Sequence, residues 1–418
     1  MTPPRFKDNP ALLAAAAAGP VIPVFVFDEP LAGGRAQAAR SQGGASRWWM
    51  HHSLAALDRS LRECGSRLIL RRGRADEEIE RLAEETGAAS VFWNRGYEAA
   101  TIARDRALEA RLRRRGLEVG TGNASLLFEP HEIANRSGEP FRVFTPFWRA
   151  CLARGLPPPG GLPAAIAPPA HWPSGDRVED WQLLPRAPDW AGGLRATWTP
   201  GEAGASERLR DFIDGALGSY ADERDRPGRA STSRLSPHLH FGEIGPRQIA
   251  HAVRFAMGGE AGAGRARSGE KFLSELGWRE FCHSLLHFNP ELPRRNLRRE
   301  FDRFPWRDDP AALEAWQRGR TGYPIVDAGM RELWQTGWMH NRVRMVVASF
   351  LVKHLLIDWR AGEDWFWDTL VDADAASNAA GWQWVAGSGA DAAPYFRIFN
   401  PVRSEEHTSE LQSLAYLV

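Results

Sequence analysis

The hydrophobic pattern of this 418-residue chain changes period once, and that change bounds what it can fold into. Over residues 11–128, short apolar runs (VIPVFVFDE, SRLILRRG, ASVFWNRGY) alternate with helical stretches, one of them over residues 47–63. Parallel strands need a long crossover between them, so this rhythm predicts a parallel sheet with helices on both faces. Over residues 206–402 the period is helical throughout, with breaks at Ser236-Pro237 and Gly245-Pro246. Between the two, LPPPGGLP and AIAPPAHWP resist regular structure. The expected fold class is an α/β N-terminal doubly wound parallel-sheet domain (1–130), an interdomain connector (131–204) and a larger all-α C-terminal domain (205–403).

Composition narrows the function classes. At 43% hydrophobic the chain can bury sizeable cores, yet Lys+Arg 53 against Asp+Glu 52 leaves a formal charge of +1. Nucleic-acid binding therefore has to be argued from local clusters of arginine, not from net charge. Cys64, Cys151 and Cys282 are far apart, with no CxxC pair and no histidine spacing for a metal site, so no metal and a reducing, cytoplasmic location are expected. The most apolar stretch, residues 11–26, is interrupted by Gly19, Pro20 and Pro23, which argues against a membrane span.

Chemistry concentrates in residues 337–401, which hold Trp338, Trp359, Trp365, Trp367, Trp382 and Trp384. Cores fill mainly with Leu, Ile and Val, because indole is bulky and its N–H needs a partner when buried, so this density asks for a reason beyond packing. Asp372 and Asp374 are one residue apart and Asn378 follows a helical turn later, so the three can line one side of a pocket. On its own a DxD pair fits an acidic, cation-binding loop equally well. Further upstream, Thr232-Ser233-Arg234-Leu235-Ser236-Pro237 places hydroxyls and backbone N–H groups at a helix start, which suits a pyrophosphate but also a plain helix cap. No GxGxxG fingerprint accompanies a strand-to-helix turn. Glu275, Trp278 and Cys282 fall at i, i+3 and i+7 and share a helix face, as do Asn341 and Met345 one turn apart.

Together these motifs resemble the photolyase/cryptochrome family over residues 7–403, in particular class I DNA photolyases that split cyclobutane pyrimidine dimers. The resemblance implies that the helical domain binds FAD through Tyr220, Thr232, Ser233, Arg234, Leu235, Ser236, Phe272, Arg279, Asn341, Arg344, Asp372, Asp374 and Asn378. Arg344 is the implied countercharge to Asp372, and Asn378 faces the reactive ring nitrogen of the flavin. Glu275, Asn378 and Met345 are the implied catalytic residues. UV-damaged DNA is the implied partner, met by Arg224, Glu275, Trp278, Arg342, Trp384 and Arg397, with Trp278 and Trp384 stacking on a flipped-out dimer. The cluster Arg294, Arg295, Arg298, Arg299 and Arg303 would extend that basic face. Trp306, Trp359 and Trp382 match the chain of indoles that carries an electron to the flavin. The activity implied is light-driven dimer repair, with a cryptochrome-like blue-light photoreceptor as the alternative.

The α/β part resembles the module that holds an antenna chromophore, a methenyl folate or an 8-hydroxy-5-deazaflavin, and Arg47 is its candidate contact. A monomer without an obligate protein partner is expected. In the family a strand with a WFRRDLR-like segment precedes the DNPAL motif, matched here by residues 8–12, so the sheet is expected to lack its leading strand. At the other end, RSEEHTSELQS reads as a translated sequencing-library adapter, and residues 404–418 are expected to carry no function.

Overall fold

The computed structural model describes residues 6–28, 40–258, 263–392 and 397–402, so the tail at 404–418 lies outside the described residues. The N-terminal part holds strands β1 (Val24–Phe27), β2 (Ile69–Arg72), β3 (Ser90–Asn94) and β4 (Glu118–Gly122), with helices α1 (Pro10–Ala18), α2 (Gly44–Glu63), α3 (Ala75–Thr86) and α4 (Ala99–Arg114). Next come α5 (Phe144–Arg154), α6 (Gly192–Thr197), α7 (Glu202–Asp211), α8 (Tyr220–Glu223), α9 (Ser236–His240), α10 (Pro246–Met257) and α11 (Ala263–Phe288). The C-terminal helices are α12 (Pro310–Gln317), α13 (Pro324–Thr336), α14 (Asn341–Ser349), α15 (Trp359–Thr369) and α16 (Ala375–Ala386). The expected fold class is observed: a parallel α/β part followed by a larger all-α part.

Both strand pairs are parallel, β1 with β2 in the register Phe25 opposite Leu70, and β3 with β4 in the register Phe92 opposite Gly120. Strand β1 reads VFVF without polar alternation, as a strand covered on both faces requires. Strand β4 reads EVGTG and carries no apolar alternation to reveal it. It forms because Gly120 lets the ring of Phe92 lie across its backbone; a Cβ there would sit 2.6 Å from that ring. The all-alanine run of α1 likewise has no polar face, and its start is set by Asn9, whose side chain accepts from the Leu12 N–H at 3.1 Å, with Pro10 at the first helical position. Between β1 and β3 lies a cavity of about 650 Å³.

The connector is more ordered than its Pro and Gly content suggests, because FTPFWRACLAR forms α5, which buries Phe147, Trp148 and Cys151 against α11. Helix α11, 26 residues long, is the spine of the all-α part and packs on α5, α8, α10 and α16. One hydrophobic core lies around α11, and another, around α13 to α16, contains Trp316, Trp359 and Trp382. A third joins the two parts of the molecule, since Phe25, Trp48, Trp49 and Leu54 pack with Phe241, Trp338 and Val371. Among the described residues no helix is long and apolar enough to cross a membrane, and all three cysteines are free.

Candidate functional site

Three elements converge on a cavity of about 180 Å³: α14, the end of α15 with the loop after it, and α16. Its wall includes Asn341, Arg344, Met345, Asp372, Asp374 and Asn378. Arg344 donates to both oxygens of Asp372, at 3.1 and 2.8 Å, and the Ser236 hydroxyl donates to the same carboxylate at 2.6 Å. The helix start at Ser236 is thereby tied to the acidic loop 136 residues later. Within that segment Arg234 adopts φ 50, a left-handed conformation uncommon for a residue with a side chain, and its guanidinium lies 4.5 Å from the ring centre of Trp338. Leu235 is buried, and its N–H donates to the Ser233 hydroxyl at 3.4 Å.

Asp374 caps α16, accepting from the Ser377 N–H at 2.7 Å. Burial works to raise its carboxyl, but His283 at 3.4 Å, together with Arg279 and His240, outweighs burial and holds it well below the usual range. Helix α14 starts on His340, whose Nδ1 accepts from the Arg342 N–H at 3.1 Å. Burial pushes that imidazole down to about 4, so it stays neutral and can accept.

The Asn378 amide nitrogen donates to the backbone oxygen (3.1 Å) and to Oε1 (2.8 Å) of Glu363. With its nitrogen so engaged, the amide oxygen remains available as an acceptor. Glu363 is buried and accepts in turn from Arg40 at 2.9 and 2.7 Å, while Arg40 also pairs with Asp364. Burial pushes the Glu363 carboxyl up, against the pull of Arg40. No motif signals Glu363 in the sequence, since it lies on a different helix from Asn378 and meets it only in space.

Other predicted residues group elsewhere. Tyr220 and Phe272 are buried with Phe212 in a cluster of edge-on and tilted rings. Glu275 pairs with Arg224 and lies 3.3 Å from Lys271. Asp225, which the motifs do not single out, bridges Arg224 (3.4 Å) and Arg342 (2.6 Å). Burial and Arg342 both push the Arg397 guanidinium down, and Arg397 lies over the ring of Trp384 at 5.8 Å. The three expected phosphate-facing arginines thus form one neighbourhood. The outer cluster differs: Arg295, Arg298 and Arg299 each pair with a nearby carboxylate.

Neither Trp278 nor Trp384 lines the 180 Å³ cavity. Trp278 instead stacks on Phe144 of α5 at 3.9 Å and 10°. Arg279 is also outside that cavity, donating at 2.7 Å to the Ser125 carbonyl and lining the 650 Å³ cavity. Arg47, the antenna candidate, donates at 3.1 Å to the Gln42 carbonyl.

Trp382 does line the smaller cavity, and its buried indole N–H has no partner among the described residues. Gly362 makes room for it: a Cβ there would fall 2.1 Å from the indole ring. The ring neighbours of Trp382 are Phe366 at 5.0 Å and the buried Trp316 at 6.1 Å, the latter missed in the motif reading. Trp359 is fully buried and donates to Asn296 at 2.9 Å, and Trp306 packs on Phe304 at 4.3 Å.

Apolar walls from Phe366, Leu370 and Val385, edged by a carboxylate–guanidinium pair and the Asn378 side chain, suit a planar heterocycle with polar edges. A family model described as the FAD binding domain of DNA photolyase matches residues 272–412, and one described as DNA photolyase matches residues 4–168. The chain belongs to the photolyase/cryptochrome family. It is 52% identical over 404 residues to the deoxyribodipyrimidine photo-lyase of Agrobacterium fabrum, with 96% of this chain and 82% of that protein covered. To Cryptochrome-1 of Arabidopsis thaliana it is 40% identical over 412 residues, with 95% of this chain and 58% of that protein covered. The crystal structure of a bacterial class III photolyase from Agrobacterium tumefaciens superposes with a TM-score of 0.90 at 51% identity, covering 97% of this chain and 82% of that one. This match overturns the class I expectation. The motifs behind that expectation, Asn341 to Met345 and Asp372 to Asn378, line one cavity and did not separate the classes.

Proposed function

We propose that this protein is a light-driven deoxyribodipyrimidine photo-lyase with FAD as its cofactor, acting on cyclobutane pyrimidine dimers in DNA. The observation that carries the reading is the convergence of the Arg344–Asp372 pair, Asn378, Met345 and Trp382 on one cavity, in a chain of this family. When bound, reduced FAD supplies a light-driven electron to the dimer and recovers it after both ring bonds open. Arg344 and Asp372 hold the polar edge of the ring system, and the oxygen of Asn378 accepts a hydrogen bond there without offering a proton. The segment from Thr232 to Ser236, with Tyr220 and Phe272 behind it, shapes the remainder of the cofactor site.

Extruding a dimer from the duplex costs a few kcal/mol, less at a lesion, and stacking on indole offsets that cost. Trp384 supplies one wall, and Trp278 the other, on the ring face that Phe144 does not cover. Glu275 hydrogen-bonds the extruded bases, its position set by Arg224. Arg224, Arg342 and Arg397 neutralise phosphates, which makes DNA affinity fall as salt rises. Trp306, Trp359 and Trp382 carry an electron inward when an oxidised cofactor has to be reduced. The higher identity to the bacterial photo-lyase than to the plant cryptochrome favours repair over signalling. A cytoplasmic monomer with a second, light-harvesting chromophore in the α/β part completes the reading.

The decisive test illuminates a dimer-containing oligonucleotide with purified, reduced protein. Loss of the lesion in light and not in the dark is expected; unchanged lesion content in light would refute the proposal.

A further inference from the structure

The residues just before α2, from Arg40 to Gly44, are fastened to α15. The Trp367 indole N–H donates to the Ser41 carbonyl, and Asp368 accepts from the Gly44 N–H, both at 2.8 Å. Gly43 lets the two backbones meet, since a Cβ there would fall 2.3 Å from the Trp367 carbonyl oxygen. Arg40 lies over the Trp367 ring at 4.6 Å. So anchored, one nitrogen of Arg40 donates to Oε1 and Oε2 of Glu363, at 2.9 and 2.7 Å, and that same Oε1 accepts from the Asn378 amide at 2.8 Å. The other charge acting on Glu363 is Asp364, which is exposed and itself paired with Arg40. Of the three linked residues only Asn378 lines the 180 Å³ cavity. Arg40 and Glu363 therefore reach that cavity through Asn378, and the line starts in the α/β part.

The two ends of an asparagine amide have nearly the same shape, and only their partners decide which way the group points. An ionised carboxylate accepts and cannot donate, so Glu363, together with its own backbone carbonyl at 3.1 Å, takes the nitrogen end of Asn378 and leaves the oxygen end free. A protonated carboxyl would offer an O–H and draw the oxygen end to itself. Glu363 is 3% exposed, and a carboxylate enclosed to that degree takes up a proton unless a cation is paired with it. We propose that Arg40 is a positioning residue for the flavin site: by keeping Glu363 a pure acceptor, it fixes which end of the Asn378 amide the cofactor meets. This rests on the proposed function, in which the cavity takes the flavin and the Asn378 oxygen accepts from its polar edge.

The test poises the flavin-loaded protein at fixed potentials in the dark and reads the ratio of reduced to oxidised flavin from its absorbance. An acceptor at the ring edge favours the reduced ring, which carries a proton where the oxidised ring has none. Arg40→Met keeps much of the side chain and removes its charge, and is expected to lower the ratio about tenfold, the equivalent of one net hydrogen bond. Arg40→Lys, which restores the charge, is expected to stay near the original ratio. In an Asn378→Ala background, Arg40→Met is expected to change nothing further, whereas a charge acting directly on the ring would still be felt. An unchanged ratio in Arg40→Met, or an equal fall with and without Asn378, would overturn the proposal. If Asn378→Ala alone leaves the ratio unchanged, the amide does not meet the flavin, and the placement of the cofactor falls as well. Should Arg40→Met lose its flavin, the Asn378 side-chain amide protons decide in flavin-free protein: exchange about tenfold faster than in the parent supports the proposal, and equal exchange overturns it.

Discussion

Arg344 and Asp372 meet at 2.8 Å with the carboxylate almost wholly enclosed, so each depends on the other to be tolerated where it lies. Replacing Arg344 with Ala leaves a buried carboxylate facing the cavity, a loss of about 3–5 kcal/mol when one partner of such a pair is removed. The expected outcome is a folded protein purified without flavin, checked by the ratio of flavin to protein absorbance. Gly362→Ala acts by crowding, not charge: its methyl would meet the Trp382 ring at 2.1 Å. Overpacking of this kind costs about 1–3 kcal/mol, and a lower urea midpoint with an altered Trp382 environment is expected by denaturation and fluorescence.

At the scale of the element, α11 carries a buried acid that no site motif requires. The Glu280 Oε2 accepts from the N–H groups of Leu127 (2.8 Å) and Phe128 (3.3 Å), tying the spine helix to the end of the α/β part. Burial pushes this carboxyl up to about 7, with Arg279 and the two N–H donors pulling the other way. The folded state thus holds the proton more tightly than the unfolded chain does. The resulting stability is full below the ordinary carboxyl value and is lost as pH rises through about 7, on the order of 3 kcal/mol in all. Glu280→Gln keeps an acceptor for both N–H groups, and unfolding curves from acid to neutral pH should become flatter by that amount. Helix caps offer a paired test. Asp309 caps α12 and Asp374 caps α16 in the same way, accepting at 2.9 and 2.7 Å. Replacing either with Ala should cost about 1 kcal/mol of stability, and only Asp374→Ala should also lower flavin content.

For the whole molecule, the contacts between the α/β and all-α parts are specific and buried. Trp49 of α2 is fully enclosed and donates at 2.9 Å to Glu243, whose other oxygen meets His238 at 2.5 Å. Arg247 reaches back to Asp8 at 3.0 Å, and Arg40 joins Glu363 beside the cavity. A shared core reinforced by buried polar pairs predicts one cooperative unfolding transition, not two. Trp49→Phe keeps most of the apolar volume but leaves Glu243 short of a donor, at a cost of about 1–3 kcal/mol. Circular dichroism and flavin release should then shift together to lower temperature; separate shifts would show that the two parts unfold independently.

The change of hydrophobic period was enough to read an α/β part before an all-helical one, because both periods are local properties of the chain. The Asp372, Asp374 and Asn378 spacing was legible for the same reason, since a helix turn and a short loop place them, whereas the Arg344 countercharge, on another helix, came only from the family resemblance. Strand β4 and helix α5 were not, since EVGTG and a Pro-flanked run become ordered through partners, Phe92 and α11, that are distant in sequence. Glu363 behind Asn378, Asp225 between two arginines and Phe144 against Trp278 belong to the same category. Local pattern selects residue types and secondary structure, whereas which side chain orients or blocks another depends on contacts across many residues, and no spacing rule encodes those.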